Sequence, residues 1–279
     1  MRDLLRGGGQ VTPRHGQASD GSLRLHPTCV GRMNGAHILR VMAVLVITGT
    51  GTGVGKTIVT AAVAALAADR GSRVAVLKPG QTGLPDGAPG DLADVTRLSG
   101  VTDVTELARY PDPLSPAAAA RRSNRDPLDL AHVVQTVLAL DADHDLVLVE
   151  GAGGLLVRFD EDGLTLADMA RTLRAPVLVV ADPGLGTLNM TALTLAAMAQ
   201  RGLDLAGVVI GCWPAEPGLA ERSNLRDLET LAARPLLGAV PAGAGTQDRA
   251  AFLVTARAAL GPALGGGFDP RALRAAYDA

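Results

Sequence analysis

The sequence predicts an α/β fold, a parallel β-sheet with helices on both faces. Short, almost continuously apolar runs rich in valine alternate along the chain with longer stretches rich in alanine and leucine. Strands covered on both faces show such continuous apolar runs, and strands that alternate with helices pair in parallel. A glycine-rich loop directly after the first run is the third observation, because glycines allow the tight turn from a strand into a helix.

Six runs predict strands, at 44–48, 74–78, 146–150, 177–182, 208–211 and 236–240. Six stretches have helical composition, at 57–70, 128–140, 165–174, 188–201, 219–233 and 247–260. Ligands of such sheets bind outside the carboxyl ends of the strands. We therefore expect the functional residues in the segments that directly follow the predicted strands.

Composition limits the classes of function. The chain has 279 residues, 47% of them apolar, and a net charge of −2. This charge predicts neither nucleic acid nor an anionic membrane as a partner, and no apolar run is long enough to cross a bilayer. Cys29 and Cys212 lie far apart and match no metal or redox spacing. A cytoplasmic location is the expectation.

The loop at 49–57, GTGTGVGKT, resembles the phosphate-binding P-loop. The strict pattern requires glycine at position 50, where this chain has Thr50 and carries the glycine one residue earlier. The remaining glycines still let backbone N–H groups point at a phosphate. Lys56 is placed to reach the β- and γ-phosphates of a triphosphate, and the Thr57 hydroxyl to bind Mg²⁺. The predicted nucleotide-binding residues of this segment are Gly53, Val54, Gly55, Lys56, Thr57 and Ile58.

The chain divides into two parts just before the first predicted strand. Residues 42–279 are predicted to form a single P-loop NTPase-like domain. Residues 1–41 hold six arginines and two acidic residues and show no helical or strand period. We predict that they are a disordered extension or a start-site artefact, with Met42 as the natural first residue. A regulatory basic arm is the alternative.

Only two of the 26 basic residues are lysines, Lys56 in the loop and Lys78 at the end of the second predicted strand. A compact ammonium fits a crowded phosphate site where a planar guanidinium would not. Both lysines are therefore predicted as catalytic residues that stabilise charge during phosphoryl transfer. GC-rich coding, which favours arginine, is the alternative explanation for their rarity.

Carboxylates lie after the second predicted strand and at the end of the third. Glu150 ends the third predicted strand, a position that suits Mg²⁺, although a solvated strand-end carboxylate is the alternative. Asp91 is a second candidate ligand and Asp94 a possible helper, but acidic residues are also ordinary at a helix start. The predicted metal ligands are Thr57, Asp91 and Glu150. The predicted nucleotide contacts that follow Glu150 are Gly151, Ala152 and Gly153.

Two further strand ends carry candidate substrate contacts. Thr82 follows Lys78 closely enough to hold the group that accepts the phosphoryl. The segment 182–189 leads into a helix whose free N–H groups suit a carboxylate, with a plain helix cap as the alternative. The predicted substrate-binding residues are Thr82, Gly186, Thr187, Leu188 and Asn189.

Together these motifs resemble the dethiobiotin synthetases over roughly residues 42–260, in the family's order and spacing. The resemblance implies an ATP- and Mg²⁺-dependent ligase of biotin biosynthesis. Its substrates would be 7,8-diaminononanoate and CO₂, and the product dethiobiotin would form through a carbamate and a carbamic–phosphoric anhydride. The resemblance also implies a homodimer in which the segment 186–189 reaches the neighbouring subunit's site.

The chain departs from the family where the base would bind. Members often carry an asparagine there, whereas this chain has glycine and cysteine followed by Trp213. We therefore predict that CTP or other triphosphates can replace ATP. Trp213 either stacks on the base or packs in the protein. The residues predicted to hold the base through backbone groups are Gly211, Cys212, Pro241, Ala242 and Gly243.

Three other functions share parts of this pattern. Partitioning ATPases carry a second lysine inside the loop, which is absent here. Corrinoid amidotransferases need a glutaminase domain with a nucleophilic cysteine. A nucleotide-binding protein without catalysis is the third alternative.

Overall fold

The computed structural model describes residues 44–277, so the predictions for residues 1–41 lie outside the described part of the chain. Seven strands form one parallel sheet in the order β3-β2-β4-β1-β5-β6-β7. The strands are β1 (Val44–Gly49), β2 (Val74–Thr82), β3 (Val104–Tyr110), β4 (Leu146–Gly154), β5 (Val177–Ala181), β6 (Leu205–Trp213) and β7 (Gly238–Pro241). The predicted fold class is confirmed.

Helices connect the strands. They are α1 (Lys56–Asp69), α2 (Asp91–Ser99), α3 (Pro116–Ser123), α4 (Leu130–Asp143), α5 (Leu166–Leu173), α6 (Thr187–Gln200), α7 (Leu219–Ala232), α8 (Arg249–Ala259) and α9 (Pro270–Ala275). Short 3-10 turns lie at Ala244–Thr246 and Pro262–Leu264. None of the helices described between residues 44 and 277 is long and apolar enough to cross a membrane.

The sheet has an apolar core on each face. Alternate residues of β1 divide between them, because Leu45 and Ile47 pack toward α1, α2 and α8, while Val46 packs toward α4, α5, α6 and α7. This double burial explains why the strands are apolar without alternation. The helix α1 is buried along most of its length, and its alanines allow it to lie close to the centre of the sheet.

The position of β1 defines the functional edge. It is the central strand, paired with β4 on one side and β5 on the other, and the phosphate loop follows it. The carboxyl ends of β1, β2 and β4 therefore lie side by side at one edge of the sheet, as ligand sites of open α/β sheets require.

Four elements were absent from the sequence-based prediction: β3, α2, α3 and α9. The strand β3 has the sequence VTELARY and lies at the edge of the sheet, where six of its seven residues are only half-buried. An edge strand of this kind does not need the continuous apolar run by which the other strands were found. The helices α2, α3 and α9 are short, so their periodicity is weak.

Candidate active site

The phosphate loop joins β1 to α1 through backbone that favours glycine. Gly53 and Gly55 have φ angles of 77° and 95°, in the left-handed region. Gly55 directly precedes α1, and no side chain caps that helix. A Cβ at Gly55 would lie 2.3 Å from the carbonyl oxygen of Gly211, so the loop rests directly on β6. The loop is braced from behind while the first N–H groups of α1 stay free for an anion.

Lys56, the first residue of α1, is buried, and its Nζ donates a hydrogen bond to the Gly51 carbonyl oxygen at 2.9 Å. The pKa of Lys56 is lowered, first because burial disfavours the charged form and second because the Lys78 ammonium repels it. An anion bound between these two ammonium groups would relieve their repulsion. The lysine pair therefore favours a phosphate.

Lys78 connects the two candidate metal ligands. Its Nζ donates a hydrogen bond to Glu150 Oε1 at 2.6 Å and another to Asp91 Oδ2. Thr57 Oγ1 donates to the same Glu150 oxygen at 2.9 Å. Burial alone would lower the pKa of Lys78, but the charges of Glu150 and Asp91 raise it, so the ammonium stays charged at neutral pH.

The residues around Glu150 fit a hard divalent cation. Glu150 is fully buried, and its second oxygen, Oε2, has no hydrogen-bond partner, which is costly for a carboxylate. The Thr57 hydroxyl lies against Glu150, and Asp91 is joined to it through Lys78. Mg²⁺ takes such oxygen ligands, usually one or two carboxylates completed by phosphates. Between residues 44 and 277 no three acidic, His or Cys side chains form a metal cluster by themselves.

These groups line a cavity of about 640 Å³ at the ends of β1, β2 and β4. The sequence-predicted residues that it brings together are Gly53, Gly55, Lys56, Thr57, Ile58, Lys78, Thr82, Asp91, Glu150, Ala152 and Gly153. Asp94 also lines it, and its carboxylate pairs with Arg97 at 2.7 Å.

Other predicted residues lie outside this cavity. The Val54 side chain is buried in the core beneath the loop, where a Cβ at Gly49 would meet it at 2.7 Å. A Cβ at Gly151 would lie 2.4 Å from Leu166 of α5, so this glycine allows close helix packing. Both residues shape the loops that carry the site.

The predicted base-binding residues form a separate group at the ends of β6 and β7. Gly211 is buried against the phosphate loop, and Cys212 is exposed beside it. Trp213 is 7% exposed, and its ring packs on Tyr277 with a centroid distance of 5.7 Å. Of the two alternatives for Trp213, packing is the one observed. Of the remaining three, Pro241 ends β7 and pairs with Trp213, and Ala242 and Gly243 directly follow this strand.

The segment 186–189 begins α6 and does not line the cavity. Gly186 has a φ angle of 95° and precedes the helix without a capping side chain. Thr187 is buried and its hydroxyl has no partner, whereas Asn189 is exposed and Leu188 packs partly into the core. The first turn of α6 therefore has a buried hydroxyl without a partner and no capping side chain, and it lies outside the cavity of its own chain.

Several lining residues were missed by the sequence interpretation. Thr52, Gly80 and Val157 lie beside predicted residues, and the turn Pro113–Pro116 forms a wall of the cavity. Ser115 followed by Pro116 at the start of α3 is a helix-start signal that could have located this turn. Gln81 was also missed, although it stands between Lys78 and Thr82.

A P-loop after the central strand, two lysines and a carboxylate set suited to Mg²⁺ define a nucleotide-binding P-loop protein of the α/β class. A family profile described as an AAA domain matches residues 43–249. The ATP-dependent dethiobiotin synthetase of Parafrankia sp. (strain EAN1pec) is 64% identical over 85% of this chain and 99% of its own length. That of Streptomyces coelicolor is 57% identical over 82% of this chain and 96% of its own. The chain belongs to the dethiobiotin synthetase family, and it is an ATP-binding ligase of biotin biosynthesis.

The solved structures to which this chain is similar have low sequence identity to it. A cell-division ATPase MinD from Pyrococcus furiosus is 21% identical, with a TM-score of 0.46 over 77% of this chain and 97% of that chain. A ParA family ATPase from Chlorobium tepidum TLS is 15% identical, with a TM-score of 0.47 over 80% and 92%.

Proposed function

We propose that this chain joins 7,8-diaminononanoate and CO₂, at the expense of ATP, to form dethiobiotin, ADP and phosphate. The observation that carries the proposal is the meeting of Lys56, Lys78, Thr57, Asp91 and Glu150 in one cavity. Two ammonium groups and a carboxylate set serve phosphoryl transfer. The similarity to dethiobiotin synthetases supports dethiobiotin as the product.

The reaction proceeds by three bond-forming steps. One amine of the substrate attacks CO₂ and loses a proton, which gives a carbamate. A carbamate oxygen then attacks the γ-phosphorus, and the bond to ADP breaks. The second amine attacks the carbonyl carbon of the resulting anhydride and loses a proton, phosphate leaves with the C–O bond electrons, and the urea ring closes.

The residues of this chain act mainly by positioning and charge. Lys56 and the N–H groups at the start of α1 hold the β- and γ-phosphates. Thr57, Asp91 and Glu150 would hold Mg²⁺, which when bound neutralises phosphate charge. Lys78 then exchanges its contacts with the two carboxylates for the transferring phosphoryl and the carbamate, near Thr82. No nucleophilic side chain is needed, because the substrate supplies both nucleophiles.

We further propose that the working unit is a cytoplasmic homodimer. The segment 186–189 stands outside the cavity of its own chain and begins a helix that no side chain caps. In a dimer it binds the substrate carboxylate at the neighbouring subunit's site, with Gly186, Thr187, Leu188 and Asn189 as its contacts.

The test is to incubate the protein with the diamine, isotopically labelled bicarbonate, Mg²⁺ and ATP. We expect phosphate release that requires the diamine, and dethiobiotin that carries the label in its ring carbon, by mass spectrometry. Phosphate release that does not depend on the diamine would favour a partitioning-type ATPase. No turnover, with ATP still bound, would leave a nucleotide-binding protein without catalysis and would reject the proposal.

The choice of base is a separate expectation. Gly211 and Cys212 offer no side-chain amide to read adenine, so backbone groups here and at 241–243 hold the base. We expect the dissociation constants of ATP and CTP to differ by less than about a hundredfold, or ~3 kcal/mol. Calorimetric titration of both nucleotides with Mg²⁺ measures this ratio, and a larger preference for ATP would contradict the expectation.

A further inference from the structure

Gln81 is a buried amide inside the candidate active site. It is the next-to-last residue of β2, is only 5% exposed and lines the cavity. Buried amides are found where both their donor and their acceptor are satisfied. The Gln81 amide has two hydrogen-bond partners, and one of them is the backbone of a candidate metal ligand, Asp91.

The Gln81 side chain holds the start of α2. Its Oε1 accepts a hydrogen bond from the Asp91 backbone N–H at 3.0 Å, and its Nε2 donates to the Thr82 carbonyl oxygen at 3.2 Å. The residue that precedes α2, Gly90, has no side chain to cap the helix. Gln81 therefore supplies, from β2, an acceptor for one of the N–H groups that the start of a helix leaves without a partner.

The hydrogen bond between Gln81 and Asp91 requires a residue without a side chain at position 90. A Cβ at Gly90 would lie 2.9 Å from Gln81 Oε1 and 3.0 Å from Arg109 Nη2. Arg109 in turn donates hydrogen bonds to the carbonyl oxygens of Ala88 at 2.6 Å and Pro85 at 3.3 Å. The β2–α2 loop is thus fixed by Arg109, while Gln81 is the side chain that holds Asp91 itself.

The same residue, Asp91, contacts Lys78 through its carboxylate. The backbone of Asp91 is set by Gln81, and its carboxylate is then directed at the ammonium next to Glu150. We propose that Gln81 is a positioning residue that fixes where the Asp91 carboxylate meets the divalent cation and Lys78. This inference rests on the proposed function, because it assumes that Asp91 is a metal ligand.

The test measures Mn²⁺ binding, by electron paramagnetic resonance, to the full chain saturated with a non-hydrolysable ATP analogue. No diamine is present, so the measurement is independent of turnover. In Gln81→Asn the side chain is too short to reach Asp91, and we expect Mn²⁺ affinity about tenfold weaker, as loss of a hydrogen bond that orients a metal ligand typically causes. In Gln81→Glu an acceptor oxygen stays in reach, and we expect affinity within about threefold of wild type or tighter.

Controls separate positioning from stability. Gln135→Asn makes the same change at an exposed position of α4 and should leave Mn²⁺ affinity unchanged. Circular dichroism melts of all variants report folding, and a Gln81→Met variant tests the loss of both hydrogen bonds. Unchanged affinity in Gln81→Asn, or equal loss in Gln81→Asn and Gln81→Glu, overturns the inference alone and leaves dethiobiotin formation standing. Absence of Mn²⁺ binding in the wild type overturns both the inference and the proposed metal ligands.

Discussion

Two strand–helix junctions of this chain have a similar backbone conformation but different contacts with the rest of the protein. Both the β1–α1 and the β5–α6 junction enter a helix through a glycine with a φ angle of 95°, Gly55 and Gly186, and neither helix has a capping side chain. Gly55 is backed by Gly211, whereas a Cβ at Gly186 would meet nothing within 4 Å. The first junction is braced within its own chain, and the second is open.

The polar groups at the two junctions differ in the same way. Lys56 and Thr57 have hydrogen-bond partners at the first. At the second, the buried hydroxyl of Thr187 has none, and the neighbouring Leu185 is 94% exposed. Buried polar groups without partners are rare and need an explanation. In the proposed function the first junction is a complete phosphate site, and the second is half of a carboxylate site that a neighbouring subunit completes.

The largest expected effect concerns the two lysines at and beside the first junction. Lys56→Arg and Lys78→Arg each lose at least ~10³-fold in turnover, because a guanidinium cannot reproduce a compact ammonium contact with the transferring phosphoryl. Lys78 is 3% exposed, so its pocket leaves little room for a larger head group. Steady-state dethiobiotin formation measures the effect, with Arg271→Lys in the exposed part of α9 as the control. Near-wild-type rates in either variant would show that positive charge alone suffices.

A matched pair of glycine substitutions compares the bracing of the two junctions. Gly55→Ala combines left-handed strain with overlap of its Cβ and the Gly211 carbonyl, and we expect a loss of at least ~3 kcal/mol in the free energy of unfolding. Gly186→Ala carries the strain without the overlap, and we expect a loss of about 1 kcal/mol. Urea titrations followed by circular dichroism give both values. Equal losses would mean that the contact between the loop and β6 does not brace the first junction.

A substitution at Asn189 tests what the second junction binds. Asn189→Glu adds a negative charge in the first turn of α6, where it favours the helix but repels a substrate carboxylate. We expect the KM for the diamine to rise at least ~10-fold. The dissociation constant of ATP should stay unchanged, and the melting temperature should not fall. Asn189→Gln is the neutral control. An unchanged KM would place the substrate carboxylate elsewhere.

The two junctions were also unequally predictable from the sequence. The first follows from glycine spacing, Lys56 and Thr57, since the P-loop pattern specifies local backbone and ligand together. The second, 182–189, was singled out as a strand end that leads into a helix, but no pattern there distinguishes a binding site from an ordinary helix cap. Its role at a neighbouring subunit's site came only from the family resemblance. Its surroundings depend on chain segments distant in sequence.

The elements and residues that were missed also depend on contacts between segments that are distant in sequence. Six strands are largely buried and are predicted by their apolar runs, whereas the edge strand β3 is only half-buried and lacks such a run. Because β3 was not predicted, the helix-start signal at Ser115 and Pro116 was not assigned to this edge of the sheet. Gln81 was missed because its partner, the Asp91 backbone, is ten residues away and comes within reach only after the β2–α2 loop folds. Side chains that bind distant backbone leave no periodic signal.

Subunit complementation tests the contrast between the junctions most directly. Lys78→Arg and Asn189→Glu chains, each carrying a different affinity tag, are co-expressed, and dimers that carry both tags are assayed at a diamine concentration below the wild-type KM. If α6 serves the neighbouring subunit, each mixed dimer keeps one intact site, and we predict about half of the wild-type turnover per dimer. Turnover no higher than that of the two parent variants, or failure to recover doubly tagged dimers, would contradict the account.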